Sequence, residues 1–483
     1  TCALPICEQW MSVSRGSRTE TVEVSEDFSL PDYVPEVRRV LGVVRDATAD
    51  NGFRDGATYL QEGNVCYTVF YLGEDGQVTS VPLSSAYSAK VPLPEDFAAE
   101  DGFVIVWDLE NVSCRVTSPR RLSLSARLRM QSLAAGREDA SCRRIGEHPE
   151  AMVLRRETVP NVRLSTARHT ASAEGNLRER EGVTIAGASG NVCVQDVKPQ
   201  PGGGLRVTGE VSVLLLARDE NGEPYPIRCR AAMEEVIPQR TGTESGTATA
   251  YAHPASLVVD CGADGAITWH MEYDLHAVSV QSGESEVDVD GYSTVAAEEP
   301  GVREVTALLP GAVLCGRVTV SGEKAVSGAA GEFVYGFGRG QIDRVEASGG
   351  RLVCIGTVTV AVFLHGEEWV VEECTLPLRY EANGVTLQAG DPIPLIHVTI
   401  CDVSCRMDGE ALRITTEAAI DGIVCAQSPQ TLLSTLTAAA PLPPKKPHVT
   451  ICVPAPGESA WDIRKSHRAG DVLEMGGRYV IAE

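Results

Sequence analysis

One sequence feature limits this chain more than any other: an apolar strand running into an acidic or glycine turn, repeated three times at nearly constant spacing. The first copy is Val65-Cys66-Tyr67-Thr68-Val69-Phe70-Tyr71, followed by Gly73-Glu74-Asp75-Gly76. The second is Val211-Ser212-Val213-Leu214-Leu215-Leu216-Ala217, followed by Asp219-Glu220-Asn221-Gly222. The third is Val358-Thr359-Val360-Ala361-Val362-Phe363-Leu364, followed by His365-Gly366. Val65 and Val211 are 146 residues apart, and Val211 and Val358 are 147 apart. Each copy reads as the first strand and turn of a hairpin, and the period implies tandem units. A second shared element lies downstream of each: Asn111–Cys114, Ala277–Val280 and Asp402–Cys405. An alternating strand follows in each case, at Leu122–Met130, Ser285–Tyr292 and Leu412–Ile420.

The expected fold is mainly β, with three tandem antiparallel, sandwich-like units at 20–135, 158–297 and 300–438. Residues 1–19 read as an N-terminal arm and 136–157 as a charged connector. The proline-rich stretch 441–447 reads as a stiff linker to a small α/β module at 448–483. Helix is scarce in this reading, its best candidate in the body being Pro35–Val44 with Asp32 as cap. Three similar units also favour repeated or head-to-tail contact between copies.

The formal net charge of the 483 residues is −24, which repels phosphate backbones and anionic membrane surfaces. Nucleic acid is therefore not an expected partner. The most basic stretch, Arg120–Arg129, reads as the solvated face of an alternating strand. No apolar run reaches the ~20 residues of a membrane span. The opening Thr1-Cys2-Ala3-Leu4-Pro5 shows no signal-peptide pattern. Most of the 15 cysteines, such as Cys66, Cys193, Cys354 and Cys425, sit singly in apolar runs and read as buried free thiols in a reducing setting. Cys2 and Cys7 stand apart as candidates for cross-linking between subunits.

Catalytic signatures are missing from the sequence: there is no nucleophile elbow, phosphate-cradling loop or HExxH pair. Tyr335-Gly336-Phe337-Gly338-Arg339-Gly340 is glycine-rich but has no helix pattern after it, so it reads as a bulged strand or loop. Cys401 and Cys405, on one strand face, are roughly 13 Å apart, too far to bond each other or share a metal. The nine histidines show no ligand spacing. No enzyme activity, cofactor or metal is expected.

Two segments resemble known families. Phe28-Ser29-Leu30-Pro31-Asp32-Tyr33-Val34-Pro35-Glu36-Val37-Arg38-Arg39-Val40-Leu41 resembles the F-x-L-P-D-x-x-P signature of the SPOCS-domain (SipL-like) family of spore-coat morphogenetic proteins. Val449 to Ile463 is similar to the opening of a LysM module. That resemblance places Gly457, Glu458, Ser459, Trp461 and Asp462 on a glycan- or protein-docking loop and helix start, with Ser459 as the helix cap. Glu458 stands where the family has Asp, and Arg464 where it has Ala. The middle of the module is shortened, which implies docking more than glycan capture. The combination implies a self-associating protein of the bacterial endospore envelope. It would act in the mother-cell cytoplasm at the forespore surface or on the mature spore. Its implied partners are copies of itself and other coat proteins, among them a SpoIVA-like ATPase. The alternative is a peptidoglycan-binding wall protein.

Overall fold

The structure, a computed structural model, describes residues 9–98, 100–201, 203–238, 246–326, 331–348, 350–383, 390–409, 411–443 and 449–482. It is mainly β. The first six strands are β1 (Trp10–Ser29), β2 (Val37–Asp55), β3 (Thr58–Gly73), β4 (Val78–Pro92), β5 (Gly102–Ser118) and β6 (Arg121–Asp139). A short β7 (Arg143–Ile145) follows. Six more are β8 (Met152–Arg178), β9 (Thr184–Pro199), β10 (Leu205–Arg218), β11 (Pro224–Ile237), β12 (Thr247–Cys261) and β13 (Ala266–Ser293). The next six are β14 (Ala296–Ala325), β15 (Glu332–Ser348), β16 (Arg351–His365), β17 (Trp369–Asn383), β18 (Asp391–Asp408) and β19 (Ala411–Pro441). The chain ends in β20 (Val449–Cys452), helix α1 (Ala460–His467), β21 (Leu473–Met475) and β22 (Arg478–Ala482).

One pairing scheme recurs. Strands two, three and four of each set of six form a meander: β2-β3-β4, β9-β10-β11 and β15-β16-β17. The sixth strand lies between the fifth and the first, giving β5-β6-β1, β12-β13-β8 and β18-β19-β14. Each set closes around its own apolar core, built on Val65, Val69 and Leu124 in the first, Val211, Leu215 and Met271 in the second, and Val358, Val362 and Ile414 in the third. The alternating burial that such packing demands is plain in β6, where Leu122, Leu124, Ala126 and Leu128 point inward.

The register also repeats. The second strands skip a residue against the third at Leu41 and Asp50, at Ala186 and Gln195, and at Val334 and Asp343. The fifth strands skip one against the sixth at Glu110, Ala255 and Cys401. Such bulges re-aim side chains, and here they align positions across the sets. Asp46, Asn191 and Arg339 correspond, as do Asp108, His253 and Thr399. Each set touches both others. Cys66 Sγ contacts Ala255 O at 3.7 Å, Ser212 Oγ donates to Cys401 O at 3.3 Å, and Arg39 Nη2 donates to Trp369 O at 2.7 Å. β1 meets β14 at Val13 and Ala307. The three sets therefore form a closed ring.

Several expectations are corrected. Pro35–Val44 is not a helix: β2 starts at Val37, and its β-branched residues suit a pleated surface. Arg120 holds the Pro31–Glu36 corner by donating to Pro31 O and Val34 O and pairing with Glu36. Cys193 and Cys401 are not free thiols; they form a disulfide joining β9 to β18 across 208 residues of sequence. Ala277–Val280 lies on β13, the sixth strand, while Asn111–Cys114 and Asp402–Cys405 lie on fifth strands. Residues 10–19, placed in an arm by the sequence, are the first half of β1. Cys2, Cys7 and most of the 441–447 linker lie outside the described residues. The Tyr335–Gly340 stretch is regular strand between bulges at Val334 and Asp343, and Arg121–Arg129 alternates as a strand face.

A covalent link closing so long a loop constrains the unfolded chain. Cys193→Ser with Cys401→Ser should lower unfolding free energy by about 2–5 kcal/mol. Denaturant titration should show the same loss for the unaltered protein under reductant.

Candidate functional site

The ring axis carries two apolar layers with a polar cavity between them. One layer packs Leu41, Ala186 and Val334 against Phe70, Leu216 and Phe363. The other joins Val104, Leu395, Leu133 and Ile423. The cavity between them measures about 170 Å³. Its walls include all six aligned polar positions: Asp46, Asn191 and Arg339 from the second strands, and Asp108, His253 and Thr399 from the fifth. The geometry is threefold but the chemistry is not, so the site offers no set of three like donors. Among the described residues, no group of three or more His, Cys, Asp or Glu is arranged to hold a metal ion.

Two imidazole–carboxylate contacts cross set boundaries. His253 Nδ1 lies 2.7 Å from Asp46 Oδ1. His397 Nδ1 lies 2.6 Å from Asp108 Oδ1, close enough for a charge contact although the angle is poor for a hydrogen bond. Around them the rings of Trp107, Tyr251, His253, His276 and His397 form one stack-and-edge cluster, with Trp107 parallel to His253 at 5.1 Å and Tyr251 near-parallel to His397 at 4.9 Å. Burial lowers the His276 imidazole well below the usual histidine range, helped by His253 and Arg168. Burial also opposes charge on His397, but Asp108, Asp46 and Asp421 outweigh it and raise its pKa. Asp421, the cross-strand neighbour of both His397 and Cys315, is pushed up to about 7 by burial, against the pull of His397.

This cluster was not legible in the sequence. His253, His276 and His397 are scattered, and only the ring brings them together. The weak signal available was Trp107-Asp108, Tyr251-Ala252-His253 and His397, each falling in a fifth strand at a similar distance before the bulge.

The module at the C-terminus is where the sequence placed the candidate loop. Ser459 caps α1 and forms a reciprocal capping box with Asp462, the Asp462 backbone N–H donating to Ser459 Oγ at 3.3 Å and the Ser459 backbone N–H to Asp462 Oδ2 at 2.9 Å. Gly457 takes φ +88°, a turn conformation that favours glycine. Glu458 Oε2 accepts from Ala455 N. Gly457, Glu458, Ser459 and Asp462 are exposed. Trp461 is turned to the body instead: its Nε1 donates to Asp290 Oδ2 at 2.8 Å and its ring meets Tyr292 edge-on. Lys465 pairs with Asp290 at 2.6 Å, Arg468 pairs with Glu298, and Tyr292 donates to Ala469 O. The structure thus keeps four of the five candidates together at the surface and sets the tryptophan in an intramolecular joint.

The opposite side of the module is apolar and open. Val449, Ile451, Val453, Leu473 and Met475 are 62–70% exposed. Ile451, Val480 and Leu473 align across the three strands β20-β22-β21.

Comparison with protein-family models, curated proteins and solved structures gives no match. Among the described residues no helix is long and apolar enough to cross a membrane.

Two expectations follow. Asp421 holds its proton more tightly folded than unfolded, because its folded pKa of about 7 lies above the reference 3.8. Its burial therefore costs stability progressively as pH rises from about 4 to 7, and the full cost, of order 4 kcal/mol at most, applies above that. Asp421→Asn should melt higher than the unaltered protein at about pH 8, with the gap closing near pH 4. Asp290→Ala removes the shared partner of Trp461 and Lys465. Limited trypsin digestion should then release the C-terminal module faster while the melting temperature of the body is unchanged.

Proposed function

We propose that this chain is a structural assembly protein of the bacterial endospore envelope, with three SPOCS-like units as its body and a shortened LysM-like module as its docking element. On this reading it is not an enzyme. The observation that carries the proposal is the apolar sheet face of the module. Four large apolar side chains exposed on one small sheet, with Val453 just past the end of β20, are costly to leave in water at ~25 cal/mol per Å² and mark an interaction surface. The Phe28–Leu41 resemblance supplies the setting. Coat proteins are the partners this reading favours, a SpoIVA-like ATPase among them, or further copies of the chain.

Repeated head-to-tail contact through the three sets is a weaker route. Their mutual junctions are already buried in the ring, so association runs through the module face. The exposed Gly457–Ser459 loop keeps the peptidoglycan reading as the alternative.

Ile451→Glu with Leu473→Glu places two charges on that face. Sedimentation velocity and negative-stain microscopy of the purified protein should show concentration-dependent association, lost in the double variant. Single particles for both proteins would favour an adaptor that needs a different coat protein. Co-sedimentation with purified peptidoglycan, unaffected by the two substitutions, would favour the wall-binding alternative.

A further inference from the structure

The three junctions of the ring are built on one plan but not filled alike. At the junction of the second and third sets, Arg228 donates to Asp402 and to Val403 O, Arg230 lies 3.9 Å from Asp402, and the Cys193–Cys401 disulfide closes the inner end. The space left there is about 30 Å³. The register gives the corresponding positions at the junction of the first and second sets. Pro82 and Ser84 stand for the two arginines, Ser256 for Asp402, and Thr48 and Ala255 for the two cysteines. None of these can refill the gap, and a cleft of about 640 Å³ remains.

That size is in the range of small-molecule sites. The walls mix apolar and polar residues: Leu83 from β4, Ile185 and Ala188 from β9, and Leu257 and Val259 from β12 are half-buried against the cores of their own sets, with Ser80, Ser84 and Ser256 among them. The exposed Val258 sits at the mouth. The inner end is different. Arg45 lines both this cleft and the axial cavity, and its aligned positions in the other sets are Gly190 and Gly338, so only the first junction carries a cation there. Arg45 Nε is shut off from solvent and donates to nothing among the described residues, and the same holds for Nη1 of the neighbouring Arg339. Burial, with the Arg339 charge adding to it, lowers the Arg45 pKa to about 10, against the pull of the Glu373 carboxylate. With Arg339 beside it as well as Glu373, a guanidinium whose buried Nε donor goes unused can take a further anion, and a carboxylate matches its planar fork.

We propose that the cleft between the first and second sets binds an amphiphilic monocarboxylate, its alkyl chain along β4, β9 and β12 and its carboxylate on Arg45. No bond is made or broken. The ligand fills the room that Arg228, Arg230 and Asp402 fill at the next junction and takes up the unused Arg45 donor.

Decanoate is a suitable probe, with 1-decanol as its uncharged analogue, in isothermal titration calorimetry on the full chain. Decanoate should bind saturably, and decanol at least tenfold more weakly. Arg45→Met should lose the preference for decanoate over decanol. It exchanges a buried, unused donor for an apolar side chain of similar length, so it should still fold. Pro82→Arg with Ser256→Asp copies the pair that closes the second junction. That variant should keep the circular-dichroism spectrum of the unaltered protein and bind neither probe. The proposal is overturned if the unaltered protein shows no saturable decanoate binding. It is equally overturned if the folded Pro82→Arg, Ser256→Asp variant binds decanoate as well as the unaltered chain, or if Arg45→Met keeps the full preference for the carboxylate.

Discussion

The ring depends on an exchange of bulk at its axis. Phe70 of the first set fills the place where Gly187 of the second has no side chain; a Cβ on Gly187 would come within 2.3 Å of the Phe70 ring. Phe363 of the third set stands over Gly42 of the first in the same way, at 3.0 Å. At the remaining junction the sizes reverse: the smaller Leu216 shares the cluster with Tyr335, the residue aligned with those two glycines. Tyr335 packs on Phe70 at 4.7 Å and its hydroxyl donates to Ser189. Each large third-strand side chain is thus met by a small second-strand residue of the next set, or the reverse. Close packing of this kind transmits any change of volume, and it fixes the orientation of the second and fifth strands that line the polar cavity.

Much of this was readable from the strands at Val65, Val211 and Val358, because a third strand with one face buried and the other half-buried writes its burial as a nearly continuous apolar run. The fifth strand of the second set was not readable. Thr247–Cys261 carries Pro254 and small residues that blur alternation, and the neighbouring β13 is a single 28-residue strand that the pattern had divided in two. The segment Pro35–Val44 was misread because a proline after an aspartate imitates a helix start. What the pattern missed was the set of outside contacts that hold it as a corner, chiefly those of Arg120, which is remote in sequence. The disulfide and the histidine cluster failed for the same reason. Cys193 with Cys401, and His253 with Asp46, are neighbours only through the ring, and spacing along the chain carries no trace of it.

Within the module the sequence did better on local structure than on orientation. Ser459 and Asp462 form a cap through neighbours three residues apart, which is the kind of interaction a sequence displays. Trp461 is one residue away from that cap, and its partner Asp290 is 171 residues upstream. The residue most suggestive of a binding loop therefore serves the joint between module and body, and the large apolar residues that remain exposed are on the strands or, for Val453, just past one.

Ring closure also separates this chain from open repeat arrays. In a solenoid each unit offers its free face to the next, so repetition by itself invites extension. Here the third set returns to the first through Phe363 and Gly42, Trp369 and Arg39, and β14 and β1, so each set meets both others. Tandem repetition then produces a closed body whose three junctions are free to diverge in chemistry while sharing one geometry. The first junction has Pro82, Ser84 and Ser256 where the second has two arginines and an aspartate, and lacks its disulfide, and the axial positions are Asp with His, Asn with Thr, and Arg with Asp. The C-terminal module, which belongs to no set, and the cleft of the first junction are the features that stand outside this threefold plan.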